Sequence, residues 1–399
     1  MRRHLALRFE LVLALFVVAG LFAKPAYAYP WMIKHGYTNC AQCHIDPSGG
    51  GTLTDYGRGQ GEILVRTHYK EMTEAPGKAA DFAFGVVKLP EPLSLQADLR
   101  GLVIPDPANV EAILMQADIR AALQLGPASN PNLFTASAAI GPVSQGAEPA
   151  WITHNPADPG WNLTSREYWA GVSPAKGMMI RGGRMNLPFG LRTEDHILYV
   201  RSATRTTSND QQQTGLAVSY ATKKYRFEVM GIAGNFQLHP DTFRERGYSL
   251  YGSYAVTKKF EIGVSSLLTV AGADIDTLVP RTRQAHGVYT RASPVGPLAI
   301  LAEADLLVDD NGGVNSMGLA SSAIVDVEPT QGLHLMAIGQ YCDPDFAKSD
   351  SPAFTAGGAV QWFFLPRMDI RVDAMEGVLN CAAGATPSPM GLVQGHFYL

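Results

Sequence analysis

The sequence is poor in charge and in cysteine: of 399 residues only 17% are Asp, Glu, Lys or Arg, and there are four cysteines. A formal charge of −4 gives no electrostatic basis for binding nucleic acid. Four cysteines are too few to staple a chain of this length as a disulfide scaffold. Beyond the first 30 residues there is no run of 18 apolar residues, so any membrane crossing there must use strands rather than helices. With 46% hydrophobic residues the chain is nonetheless too apolar to be disordered.

What is present begins with an export signal. Arg2, Arg3 and Arg8 precede an apolar run from Leu11 to Ala23, and Ala26-Tyr27-Ala28 is a small-x-small cleavage signature. The run is shorter than the roughly 20 residues a spanning helix needs, so residues 1–28 read as a removable signal peptide. Its loss takes four basic residues and Glu10, leaving 28 basic against 35 acidic, a net charge of −7.

Directly after it stands Cys40-Ala41-Gln42-Cys43-His44. Two thiols two residues apart sit on one side of a single helical turn, where they can bond to the two vinyl groups of one haem while His44 offers its imidazole to the iron from the proximal side. A zinc site would need a second ligand pair nearby, and a thioredoxin-like motif a βαβ context; neither is found. The expectation is one covalent haem c on Cys40, Cys43 and His44. The sixth ligand stays open among His35, His68, Met32 and Met72, with His68 favoured for its long connecting loop, or else a lumen-facing residue further on or an open position. The haem segment, residues 29–73, is too small to be comfortably stable alone and should lean on something else. A linker follows at 74–92.

From residue 93 to 399 the texture is alternation. Leu93, Leu95, Ala97 and Leu99 alternate with Ser94, Gln96, Asp98 and Arg100; Met368, Ile370, Val372 and Ala374 alternate with Asp369, Arg371 and Asp373. Period two marks strands with one apolar and one wet face. Tight links such as 221–224, 256–259 and 365–367 alternate with longer polar stretches such as 187–213, 309–313 and 380–389, the asymmetry of an outer-membrane barrel. About 16 segments follow from this rule, including 166–174, 177–186, 213–221 and 390–399. The expected fold is mainly β: an approximately 16-stranded transmembrane outer-membrane barrel around an aqueous lumen, preceded by the short haem segment. A set of soluble β-sandwiches is the competing architecture, and no linker divides the chain into such domains. The 187–213 stretch can fold inward and narrow the pore. Cys342 and Cys381 fall in outer loops and either form a disulfide or remain free thiols.

Signal, C-x-x-C-H segment and barrel in one chain together resemble the fused monohaem cytochrome–porins, which include outer-membrane iron-oxidising cytochromes. The sharp motif behind that resemblance is Cys40, Cys43 and His44. It implies electron transfer across the bacterial outer membrane, between an extracellular donor or acceptor and a periplasmic c-type cytochrome, with the haem segment on the periplasmic side or in the lumen. The alternative is a diffusion porin whose haem segment merely docks a periplasmic cytochrome. An electron-transfer protein is expected over an enzyme with its own substrate.

Overall fold

The computed structural model describes residues 30–68, 82–105, 110–143, 146–154, 161–193, 195, 197–379, 381 and 384–399. The expected signal peptide, Met72 and the first half of the expected linker lie outside the described residues.

Sixteen strands among these residues form an antiparallel sheet closed on itself. They are β1 (Leu93–Pro105), β2 (Val110–Leu125), β3 (Phe134–Val143), β4 (Tyr168–Val172), β5 (Met178–Met185), β6 (Gln213–Ala221), β7 (Tyr225–Gly234) and β8 (Glu245–Thr257). They continue as β9 (Phe260–Ala271), β10 (Arg281–Ala292), β11 (Leu298–Asn311), β12 (Val314–Thr330), β13 (Leu333–Asp343), β14 (Ala353–Leu365), β15 (Met368–Gly377) and β16 (Ser388–Tyr398). Each pairs with its neighbour in the chain, and β16 returns to β1 with Leu99 opposite Phe397 and Gly101 opposite Gly395. Closure removes the exposed edges that an open sheet would have to protect. A small ribbon, Trp151–Thr153 with Asn162–Thr164, branches from β3 in the long connection before β4.

The expected strands fall within a few residues of these. One connection differs: the loop expected near 309–313 is a two-residue hairpin, because Gly312 and Gly313 both take positive φ, +62° and +86°. Consecutive residues at positive φ make the tight turn whose twist matches the flanking strands.

Burial along the strands is inverted relative to a soluble sandwich. On β2, Asp118 is 2% exposed and its neighbour Ile119 is 63% exposed. Asp98, Arg120, Arg226, Glu228, Glu303, Asp305, Asp369, Arg371 and Asp373 all point inward and are buried, whereas Leu216, Val264, Val288, Val360 and Val372 face out. Tyr220, Tyr225, Phe227, Phe260 and Trp362 are exposed near the short turns, as an aromatic girdle would be at a membrane interface. Such a surface is stable where the surroundings are lipid.

The lumen is not the open aqueous space expected from strand number. Residues 31–68 occupy its short-turn half, and the connection between β5 and β6 folds inward above them. Trp31, Ile33 and Val65 pack with Ala299 and Phe363, and Ile45 joins Trp169, Met179, Leu187 and Phe189. Each such buried side chain stabilises the seated segment by roughly 1.5–3 kcal/mol. This supplies the burial that a 45-residue segment lacks alone.

Candidate functional site

The Cys40 segment is shaped by short local bonds. Cys40–Gln42 is one turn of 3-10 helix, capped by Asn39, whose side-chain oxygen accepts from the Ala41 N–H at 3.1 Å. The N–H groups of Cys43 and His44 both donate to the Cys40 carbonyl, at 3.1 and 3.0 Å. The chain then reverses through Asp46-Pro47-Ser48-Gly49, and His44 returns opposite Leu53 in an antiparallel bridge. Thr54 caps α1 (Asp55–Gln60), its hydroxyl oxygen accepting from the Gly57 N–H at 3.1 Å. The reversal is packed without slack. A Cβ at Gly49, whose φ is +90°, would stand 2.9 Å from the Cys40 Cβ, and one at Gly57 2.1 Å from the Cys43 carbonyl oxygen.

Cys40, Cys43 and His44 line one lumen cavity of about 340 Å³. Met32, Gly61 and Val65 line it from the same segment, Gln96, Asp98, Arg100, His396 and Tyr398 from the barrel wall, and Leu187, Phe189, Leu191 and Arg192 from the inward loop. Both cysteines are free and half-buried. Burial, and then the neighbouring Cys40, pushes the Cys43 thiol up to about 11. Burial lowers the pKa of His44; the charges of Asp46 and Asp98 and the carbonyls of Gly51 and Gly50 oppose this without reversing it. His44 is therefore a neutral imidazole at pH 7, the state in which a ring nitrogen can bind a metal.

The barrel holds this segment by ion pairs. Arg181 on β5 bridges Asp46 of the segment and Glu228 on β7. Burial alone would raise the Asp46 carboxyl, but Arg181 and Ser48 hold it below the ordinary carboxylate value. Arg226 on β7 donates to the Cys40 Sγ at 3.3 Å, Arg291 on β10 to the Thr38 carbonyl at 3.0 Å, and the Leu53 N–H to Gln96 on β1 at 2.9 Å. Lower in the lumen, Lys34 meets Asp326 at 3.1 Å and Glu328 at 3.3 Å, all three fully buried.

The inward loop closes the cavity from above. Its helix α2 (Tyr199–Thr204) is fixed by the Tyr199 hydroxyl donating to the Val378 carbonyl at 2.6 Å and by Arg201 pairing with Glu303 on β11. The Leu191 N–H donates to Glu303 at 2.8 Å.

The sequence-derived sixth-ligand candidates separate here. His68 sits at the short-turn rim, its Nε2 3.2 Å from the Glu62 carbonyl and 3.3 Å from Gln331 Nε2. It does not line the cavity that Cys40, Cys43 and His44 share. His35 also lies outside the cavity lining, while Met32 lies within it. His396 does line it and was not singled out from sequence, although it shares its inward parity with Gln394. Cys342 and Cys381 are joined in a disulfide, with Cα atoms 5.6 Å apart.

The residues present fit a covalently held haem. Two free thiols and a neutral imidazole share one cavity, and glycines 49 and 57 leave the space the turn needs. Among the described residues, the Nε of Arg100 and the Nε and Nη1 of Arg192 are buried on the cavity wall without hydrogen-bond partners, donors suited to the carboxylates of a porphyrin.

Fold and site together define a closed 16-stranded antiparallel barrel of the outer-membrane porin type with its N-terminal segment seated in the lumen. No protein-family model matches the sequence, and no curated protein matches it. Solved structures do. A loop-deletion mutant of the outer-membrane protein OmpT of Vibrio cholerae is similar, with TM-score 0.60 and 11% identity, over 77% of this chain and 99% of that one. An anion-selective porin from Comamonas acidovorans gives TM-score 0.55 and 10% identity over 77% and 99%. OprB of Pseudomonas putida gives 0.56 and 9% over 77% and 94%. At these identities the likeness is one of fold.

Proposed function

We propose that this protein resides in the bacterial outer membrane and conducts electrons through its barrel, using one c-type haem bonded to Cys40 and Cys43 and facing His44. The observation that carries the reading is that both free thiols and the His44 imidazole share one lumen cavity. A c-type haem held there would supply a one-electron carrier with a potential set by its axial ligands and burial. The protein's own part is to bind and shield. Cys40, Cys43 and His44 hold the group, Arg100 and Arg192 offer donors to its carboxylates, and Leu187, Phe189 and Leu191 exclude water from one side. Its partners are then a periplasmic c-type cytochrome at the short-turn end and an extracellular donor or acceptor at the long-loop end, with the lipid outer membrane around the wall.

The porin fold favours a second reading, a diffusion porin whose haem segment only docks a periplasmic cytochrome. The seated segment and inward loop weigh against it, since together they occupy the path a solute would take. Proteoliposomes enclosing a reduced viologen and bathed in ferric citrate distinguish the two. Conduction predicts external iron reduction by the native chain, none by a Cys40→Ala/Cys43→Ala variant, and negligible sugar-driven swelling for either. Rapid sugar entry without iron reduction would replace this reading with the porin.

A further inference from the structure

The geometry points to His396, on the closing strand β16, as the second axial ligand of the iron held by His44, with Asp369 as its positioning residue. This inference rests on the haem reading above. Besides His44, His396 is the one histidine among the described residues lining the cavity.

Each of its ring nitrogens faces a carboxylate, one closely and one at longer range. On one side Nδ1 lies 3.0 Å from Asp369 Oδ1, directly across the β15–β16 pair. Asp369 is itself fixed, because Gln361 donates to its other oxygen at 2.9 Å. On the other side Nε2 lies 3.4 Å from Asp98 Oδ1, beyond the usual hydrogen-bond range of about 2.7–3.2 Å. Arg120 Nε at 3.0 Å and Gln96 at 2.9 Å both donate to the other oxygen of Asp98, Oδ2. Nδ1 thus has the shorter carboxylate contact, and Nε2 is the nitrogen that would exchange its longer Asp98 contact for the iron. A carboxylate on the far nitrogen is the arrangement that orients metal-binding histidines and strengthens their basicity. The Tyr398 ring, stacked 5.3 Å from the imidazole, limits its rotation. His68 and His35 lie outside the cavity, which leaves Met32 as the rival on the segment itself.

The test is spectroscopic and uses the purified full chain in detergent, with folding of each variant verified by its heat-modifiable migration on a gel. The native protein should be low-spin. His396→Ala should keep its covalent haem through the cysteines, turn high-spin, and return to low-spin when imidazole is added. His396→Met, closer in volume, should remain low-spin with a raised midpoint potential, as expected of Met/His ligation. Asp369→Asn should stay low-spin but also shift to higher potential, because the imidazole loses its carboxylate partner. A His396→Ala protein that stays low-spin, or a high-spin change produced by Met32→Ala instead, would overturn the assignment while leaving the haem reading intact. A native chain carrying no haem would overturn both.

Discussion

At the scale of single residues, the seat of the Cys40 segment depends on charges whose partners lie on different elements. Arg181 is fully buried between Asp46 and Glu228, so removing it leaves the buried Asp46 carboxylate without its cation, while Glu228 keeps Arg192 at 3.2 Å. Breaking a buried pair in this way costs roughly 3–5 kcal/mol. Arg181→Met should therefore raise amide exchange in residues 40–53 far more than Asp46→Asn, which leaves the Arg181–Glu228 pair in place; equal protection in both variants would show that the triad does not seat the segment. His35 makes a second prediction. Burial, and then the charges of Lys34 and Lys259, holds its pKa down to about 2, against 6.5 in an unfolded chain. Its native state is neutral, so below pH 6.5 the released segment binds a proton that the seated one does not, and seating weakens as pH falls. Protease sensitivity of residues 30–68 should rise between pH 7 and pH 5, and His35→Gln should flatten that rise.

At the scale of elements, the alternation of charge and aliphatic residues fixes most of what was legible in the sequence. Asp98, Arg100, Asp369 and Arg371 mark inward parity, and strands built on such patterns were placed to within a few residues. The exception at Gly312-Gly313 arose because a cluster of Asp, Asn and Gly reads equally as a long loop or a tight hairpin. Cys40, Cys43 and His44 were legible because the motif is contiguous. His396, Asp369 and Arg181 were not, since barrel closure brings them to the site: His396 meets Asp98 across 298 residues of sequence. The lumen was one of two placements the sequence left open for the segment, because no local pattern says which side of a wall a preceding segment will occupy. Among the loops, the Cys342–Cys381 bond ties the end of β13 to the connection between β15 and β16. A bond closing a loop of this size contributes roughly 2–4 kcal/mol. Cys381→Ser should lower the urea midpoint of unfolding by a corresponding amount, with the spectrum of the lumen site unchanged; an unshifted midpoint would count against a structural role.

At the scale of the whole molecule, the barrel works as a container. Its outer face suits lipid, its inner face is charged, and those charges pair with one another across the wall and with the segment and loop inside. This arrangement gives a small N-terminal segment the shielding it cannot provide for itself, and it places Cys40 and Cys43 between the two ends of the wall. The central claim is that these cysteines hold a haem inside that wall. It is tested most directly by a haem-stained denaturing gel together with the alkaline pyridine absorbance of the protein purified from outer membranes. The account predicts one c-type haem per chain, retained after denaturation and lost in Cys40→Ala/Cys43→Ala. A native chain that is fully matured, folded as a barrel and colourless would contradict it.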